Sequence, residues 1–144
     1  MFNPTRDQAR RFLMEAWRKH QTGLPGTAIE LMAADIIAHH PEYHDLLADA
    51  DEAIQRDWTP EQGETNPFLH LSLHLAIEEQ LSIDQPPGIR AAFSALQHRL
   101  GDRHAALHEI LECLGETIWR ANRDQLPPDG NAYLECVQRS AGKR

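Results

Sequence analysis

Valine is almost absent from this chain of 144 residues, in which Val137 stands alone among many leucines, alanines and glutamates. Because β-strands favour β-branched side chains, this deficit argues against a sheet. Cysteine is scarce too, with only Cys113 and Cys136. Two cysteines make no disulfide framework, so the sequence predicts reduced thiols, an inert Cys113 and a cytoplasmic location.

Long apolar runs are also lacking. No stretch approaches the roughly 20 residues of a membrane span, and the first residues lack the apolar core of a signal peptide. The formal net charge is −8, which makes a bare phosphate backbone a poor partner. We therefore expect neither a membrane nor a nucleic acid as partner, and a homo-oligomer is compatible with the composition.

Nine prolines divide the chain into segments of helical length. The sequence predicts an all-α fold, a compact bundle of about six to seven helices with a four-helix core. We expect one helical domain over residues 1–140 and a frayed tail over 141–144. The predicted helices cover residues 4–20, 27–39, 41–55, 67–83, 89–100, 103–122 and 131–139, with a loop over 56–66.

Local signals mark several of these helix ends. Asn3-Pro4 and Asn66-Pro67 each combine an N-cap with proline at the first helical position. Thr27 and Glu30 have the spacing of a capping box, which favours a cap over a ligand role for Glu30. Arg10 and Arg11, together with Arg18 and Lys19, predict a solvated basic face on the first helix.

Histidine is the residue that stands out, with nine copies, six of which form pairs four residues apart. On a helix this spacing places both rings on one face, where they can chelate one ion. The pairs are His40 and His44, His70 and His74, and His104 and His108. His39 directly precedes the first pair, and its ring would point away from that pair.

Two of the pairs continue to a glutamate four residues further on, at Glu78 and at Glu112. Each set of three spans about 12 Å along a helix, so one ion cannot take all three from one helix. Two neighbouring ions, or one ion that takes ligands from several helices, could use them. The stripe from His70 to Glu78 lies on an apolar face, where an unpaired carboxylate would need a partner. Glu112 lies nearer the solvated face and is the weaker candidate.

The resulting ligand set comprises six histidines and two glutamates, without sulfur. Such a set suits iron, zinc, manganese, nickel or copper better than calcium or magnesium, and we expect iron, zinc or manganese. It resembles the site composition of hemerythrin-like helical proteins, which hold two irons with histidines and bridging carboxylates. That resemblance implies a dinuclear centre with oxygen or peroxide chemistry or a sensing role, and it covers only the histidine segments.

A second interpretation needs no metal. The same histidines and glutamates could form a buried hydrogen-bond network with Tyr43 that specifies the core of a non-enzymatic interaction or structural module. Metal content separates the two interpretations. The sequence itself favours neither an enzyme nor a binding protein.

Over nearly its full length, the chain resembles a proteobacterial family of small proteins, domain of unknown function 1841. Three segments carry the resemblance: His40-Pro-Glu-Tyr-His44, Asn66-Pro-Phe-Leu-His-Leu-Ser-Leu-His74 and Ile83-Asp-Gln-Pro-Pro-Gly-Ile-Arg90. The resemblance implies a bacterial cytosolic protein. It supplies no activity, so the histidine pattern carries the functional argument.

Overall fold

A computed structural model describes residues 6–56 and 66–142, and in these ranges all regular secondary structure is helical. The predicted all-α helical class is therefore confirmed. The chain divides into two compact units, with the boundary between Leu75 and Ala76. Within the described ranges, no helix is both long and apolar enough to cross a membrane.

The first unit contains four α-helices, one 3-10 turn and the first half of a fifth α-helix. They are α1 (Arg6–Thr22), α2 (Ala28–Ala38), the 3-10 turn (Pro41–Tyr43), α3 (His44–Ala48), α4 (Ala50–Gln55) and α5 (Pro67–Ile83). Side chains from all of these helices form one apolar core, which includes Leu13, Trp17, Ile37, Leu47, Ala53 and Leu71.

The second unit begins with the last residues of α5 and adds three helices. They are α6 (Ile89–Leu100), α7 (Arg103–Asp124) and α8 (Gly130–Ala141). Its fully buried side chains include Ile77, Ile89, Leu96, Ile110 and Val137. The hydroxyl of buried Tyr133 donates to Gln80 Oε1 at 2.7 Å, which satisfies the polar end of that ring.

Helix caps follow the sequence closely. Thr27 and Glu30 form the predicted capping box, in which each side chain accepts from the backbone N–H of the other residue. Asn66 Oδ1 accepts from the N–H groups of Phe68 and Leu69, so the predicted Asn66-Pro67 start is confirmed. The similar start at Asn3-Pro4 lies outside the described residues.

The helix predicted over residues 41–55 is wrong as a single element, because it is split into the 3-10 turn, α3 and α4. The break is at Asp49, whose backbone is extended (φ −109°, ψ 92°). Its side chain accepts from the N–H of Glu52 and begins α4. A short acidic side chain therefore competes with the continuing helix for backbone donors. Within the predicted loop over 56–66, residues 57–65 lie outside the described residues.

The expectation that Arg10 faces solvent is also wrong, since this residue is only 3% exposed. Its guanidinium lies 4.9 Å from the centre of the Phe68 ring and donates to the carbonyls of Ala53, Ile54 and Arg56 at 2.8–3.0 Å. These carbonyls are at the end of α4 and lack intrahelical partners. Arg10 thus caps the C-terminus of α4 from α1.

The two cysteines form a disulfide between α7 and α8, so the prediction of reduced thiols is corrected. Cys113 and Cys136 have Cα atoms 5.8 Å apart, within the range that a disulfide spans. They are 23 positions apart in sequence, and the packing of α7 against α8 brings them together.

Candidate metal centre

Three imidazole rings from two segments of the first unit converge on one point. Nε2 of His70 lies 3.3 Å from Nε2 of His40 and 3.2 Å from Nε2 of His74. Each of the three residues offers a ring nitrogen within 4.8 Å of the others. His40 and His74 are buried, at 3% and 1% exposure, and His70 is half-buried.

α5 supplies two of the rings because its register is fixed at the N-terminus. The Asn66 cap and Pro67 start the helix, and His70 and His74 then follow one turn apart on the same face. Their ring centres are 4.8 Å apart and their planes differ by 68°. The predicted convergence of this pair is confirmed.

His40 joins them from the end of α2, where the chain turns at His39. Its Nδ1 lies 2.7 Å from the carbonyl oxygen of Ile36. A carbonyl oxygen only accepts, so Nδ1 carries the hydrogen and Nε2 of the neutral ring has a lone pair. That lone pair is directed to the side on which His70 and His74 lie.

Ordinary hydrogen bonds fit this arrangement poorly. An imidazole Nε2 has one in-plane direction and is either a donor or an acceptor. Nε2 of His70 is therefore unable to form a linear hydrogen bond with both neighbours at once. The three ring planes are mutually inclined by 59° to 74°, so the rings are not stacked on one another. This arrangement is suited to a single small cation.

Tyr43 forms one wall of the cluster. Its ring stacks on His40, with centres 5.7 Å apart and planes within 3°, and it meets His70 edge-on at 6.0 Å. Burial raises the pKa of the Tyr43 hydroxyl, with a smaller contribution from the charge of Glu42. The hydroxyl therefore stays protonated at neutral pH.

The structure does not bring His44 together with the three rings. Its Nε2 lies 2.9 Å from the carbonyl oxygen of Ile37, and its ring packs on Trp17 with centres 4.5 Å apart. His39 is exposed and bonds the carbonyl of Asp35 through Nδ1. It points away from the cluster, as predicted.

Glu78 has a different partner from the one that the sequence suggested. Its carboxylate oxygens lie 3.0 and 3.1 Å from the two terminal guanidinium nitrogens of Arg103. This two-pronged ion pair satisfies the partly buried carboxylate without a metal. Both residues belong to the second unit.

The third predicted pair and its glutamate are on α7, in the second unit. His104 and His108 lie against one another, with ring centres 4.2 Å apart and planes inclined by 60°. The expected proximity of these two rings is confirmed. Glu112 is exposed to solvent, in keeping with its position near the solvated face of α7.

Sequence reasoning missed that three successive carbonyls at the end of α2 each receive a histidine ring. A ring nitrogen of His39 is hydrogen-bonded to the carbonyl oxygen of Asp35. The rings of His40 and His44 form the same kind of bond with Ile36 and Ile37. Carbonyls in a last helical turn lack i+4 partners, and donor side chains near a C-terminus can satisfy them. Those of Ile36 and Ile37 also accept from the backbone N–H groups of His39 and His40, so the rings add to these bonds. The signal that could have revealed this role is the position of the histidines around Pro41, directly after a predicted helix end.

Comparison with known proteins adds a family but no activity. No curated protein and no solved structure gives a significant match to the chain. The family model described as "Domain of unknown function (DUF1841)" matches residues 5–139. Since this match includes α1 to α7 and most of α8, the chain belongs to the DUF1841 family.

Proposed function

We propose that His40, His70 and His74 bind one divalent transition-metal ion through their Nε2 atoms. The observation that carries this proposal is the approach of His70 Nε2 to within 3.2 and 3.3 Å of the other two nitrogens. In a tetrahedral site with metal–nitrogen bonds of 2.0–2.1 Å, neighbouring ligand nitrogens are about 3.3–3.4 Å apart. The spacing in the protein therefore fits three ligands of one ion with small adjustments.

The hydrogen bond between His40 and Ile36 supports the same proposal. Histidine ligands commonly donate their second ring N–H to a carbonyl or carboxylate, which fixes the tautomer and the ring orientation. In His40 that bond is made by Nδ1 and leaves Nε2 as the ligand atom. The buried position of His40 and His74 also limits the motion that would open the site.

The donor chemistry favours zinc or iron among the metals predicted from the sequence. Imidazole suits both ions, whereas manganese prefers carboxylate and water ligands. The convergence of three rings on one point favours a single ion over the dinuclear centre that the hemerythrin resemblance implied. A three-histidine ion would need a fourth ligand, and only a water or substrate in that position would allow catalysis. With iron this position would bind oxygen or peroxide. With zinc it would hold a water molecule whose pKa the ion lowers.

The proposal also retains the other expectations from the sequence, which rest on the sequence alone. His104, His108 and Glu112 remain ligands predicted from the sequence alone, and the ion proposed above does not require them. The metal content of each alanine variant tests their role. A cytoplasmic location is kept, and so is the expectation that neither a nucleic acid nor a membrane is a partner. Because the two cysteines form a disulfide, reduced thiols no longer support a cytoplasmic location. Cell fractionation tests that location.

Elemental analysis of untagged protein tests the proposal. We expect about one zinc or iron per chain in the wild type and near-complete loss in His74→Ala. The matched control is His98→Ala, because His98 is an exposed histidine on α6. That variant should keep the full metal content.

Equal metal content in all three proteins would contradict the assignment of the site. Wild-type protein that is free of metal, and that takes up no added zinc or iron, would favour the alternative interpretation. In that case the rings would form a hydrogen-bonded structural network, and the function would be that of an interaction module.

A further inference from the structure

A cleft of about 180 Å³ opens beside the disulfide in the second unit. Cys113 of α7 and Cys136 of α8 both line it. The two cysteines differ in exposure, because Cys113 is 4% exposed whereas Cys136 is half-buried. A reagent that enters the cleft therefore meets the Cys136 side of the disulfide first.

Three carboxylates also line the cleft, and each has a local partner. Glu116 pairs with Arg120 at 2.6 Å, and Asp124 pairs with Arg123 at 2.9 Å. Asp129 accepts from backbone N–H groups as the N-cap of α8. Their charges are thus largely balanced within the second unit.

Arg139 also lines the cleft and is exposed. None of the ion pairs found among the described residues involves it. It follows Cys136 by three residues on α8, which places the two side chains on the same helical face. A positive charge near the more exposed cysteine favours an approaching thiolate and any carboxylate that the thiol carries.

We propose that Cys136 is a site of reversible thiol–disulfide exchange with a small acidic thiol that enters this cleft. The incoming thiolate attacks Sγ of Cys136 and forms a mixed disulfide. The bond to Cys113 breaks, and its electron pair leaves on Cys113 Sγ, which takes a proton from water. A second thiolate then attacks the mixed disulfide, so that two thiols are oxidised to one disulfide and both cysteines are reduced.

The test treats the oxidised full-length chain with glutathione, which is anionic, and in parallel with cysteamine, which is cationic. Samples are quenched with an alkylating agent at successive times, and adducts are mapped by mass spectrometry. We expect the first adduct on Cys136. Arg139→Gln should lower the ratio of the glutathione rate to the cysteamine rate by about two- to fivefold, the effect of one exposed charge interaction.

Arg99→Gln is the matched control, since Arg99 is exposed on α6 and does not line the cleft. It changes the net charge equally and should leave the rate ratio unchanged. A first adduct on Cys113, an unchanged ratio in Arg139→Gln, or exchange only under denaturing conditions would overturn the proposal. The single-cysteine variants add a second measurement: Cys113→Ser should react with oxidised glutathione faster than Cys136→Ser. Adduct mapping on the wild type decides the question even if these variants fold poorly.

Discussion

Nδ1 of His40 lies 2.7 Å from the carbonyl oxygen of Ile36, so one imidazole both ends α2 and turns its Nε2 towards His70. The carbonyl at the end of α2 thus orients a candidate ligand in the metal-free protein. This dual role separates His40 from His70, whose Nε2 contacts are with other imidazoles.

Substitution of His40 should therefore destabilise the protein even without metal. We expect His40→Ala to lower the free energy of unfolding by about 1–3 kcal/mol in the presence of a chelator, because it removes a buried ring and its hydrogen bond to Ile36, whose carbonyl keeps only the backbone N–H of His39. His70→Ala should cost less under the same conditions, since His70 is half-buried. Urea denaturation of both variants measures the difference. Equal losses would show that the contact with Ile36 contributes nothing to stability.

Metal binding should make stability depend on pH. The ligand form of each histidine is the neutral imidazole, and the ordinary imidazole pKa is about 6.5. Protons therefore compete with the ion as the pH falls, so the stabilisation by metal should be complete near pH 8 and lost towards pH 5. Melting temperatures with and without a chelator should converge at the acid end. A chelator effect of the same size at pH 5 and pH 8 would be inconsistent with histidine ligands.

Arg10 should be among the most sensitive positions of α1. We expect Arg10→Met to lower the free energy of unfolding by about 1–3 kcal/mol, because the carbonyl of Ala53 loses its buried donor, while those of Ile54 and Arg56 keep Arg6. Arg11→Met is the matched control: Arg11 is exposed, and its change should stay within about 0.5 kcal/mol. Chemical denaturation compares the two, and similar effects would contradict the capping role.

The capping box gives a prediction with a defined pH range. The pKa of Glu30 is held below its ordinary value of 4.5, first by the backbone N–H of Thr27 and next by Lys19. A lowered pKa means that folding favours the ionised carboxylate, so its contribution is complete above the ordinary pKa and is lost as the pH falls through the lowered one. Glu30→Gln should therefore melt below the wild type at pH 7 and match it in strong acid. A difference that persists there would point to packing.

Thr27 tests the other half of the same box. Thr27→Ala should destabilise by about 1 kcal/mol at neutral pH, because the N–H of Glu30 loses the hydroxyl that it donates to. Thr22→Ala is a suitable control, since Thr22 is exposed and its hydroxyl donates to carbonyls of its own helix. Thermal denaturation of the two variants should show the larger shift for Thr27→Ala.

Local sequence signals predicted the helices well because they act over three or four residues. The Thr27 box, the Asn66 cap and the spacing of His70 and His74 are all of this kind. The break at Asp49 was missed because the segment has a helical composition, and the competing bond from Asp49 is visible only in the structure.

Contacts between distant segments could not be predicted in the same way. Nothing in the sequence pairs Arg10 with the end of α4, or Cys113 with Cys136, because tertiary packing decides both. The sequence proposed that His40 and His44 act together. The structure gives them separate carbonyls at the end of α2, since the 3-10 turn after Pro41 alters the expected helical register.

Crystals of untagged protein, measured above and below the zinc and iron absorption edges, give the most direct test of the metal site. An anomalous difference peak should appear between the rings of His40, His70 and His74, about 2.0–2.1 Å from each Nε2 atom. Loss of that peak in His74→Ala crystals would confirm that His74 is one of the ligands. A peak elsewhere, or none in protein saturated with either metal, would contradict the three-histidine site.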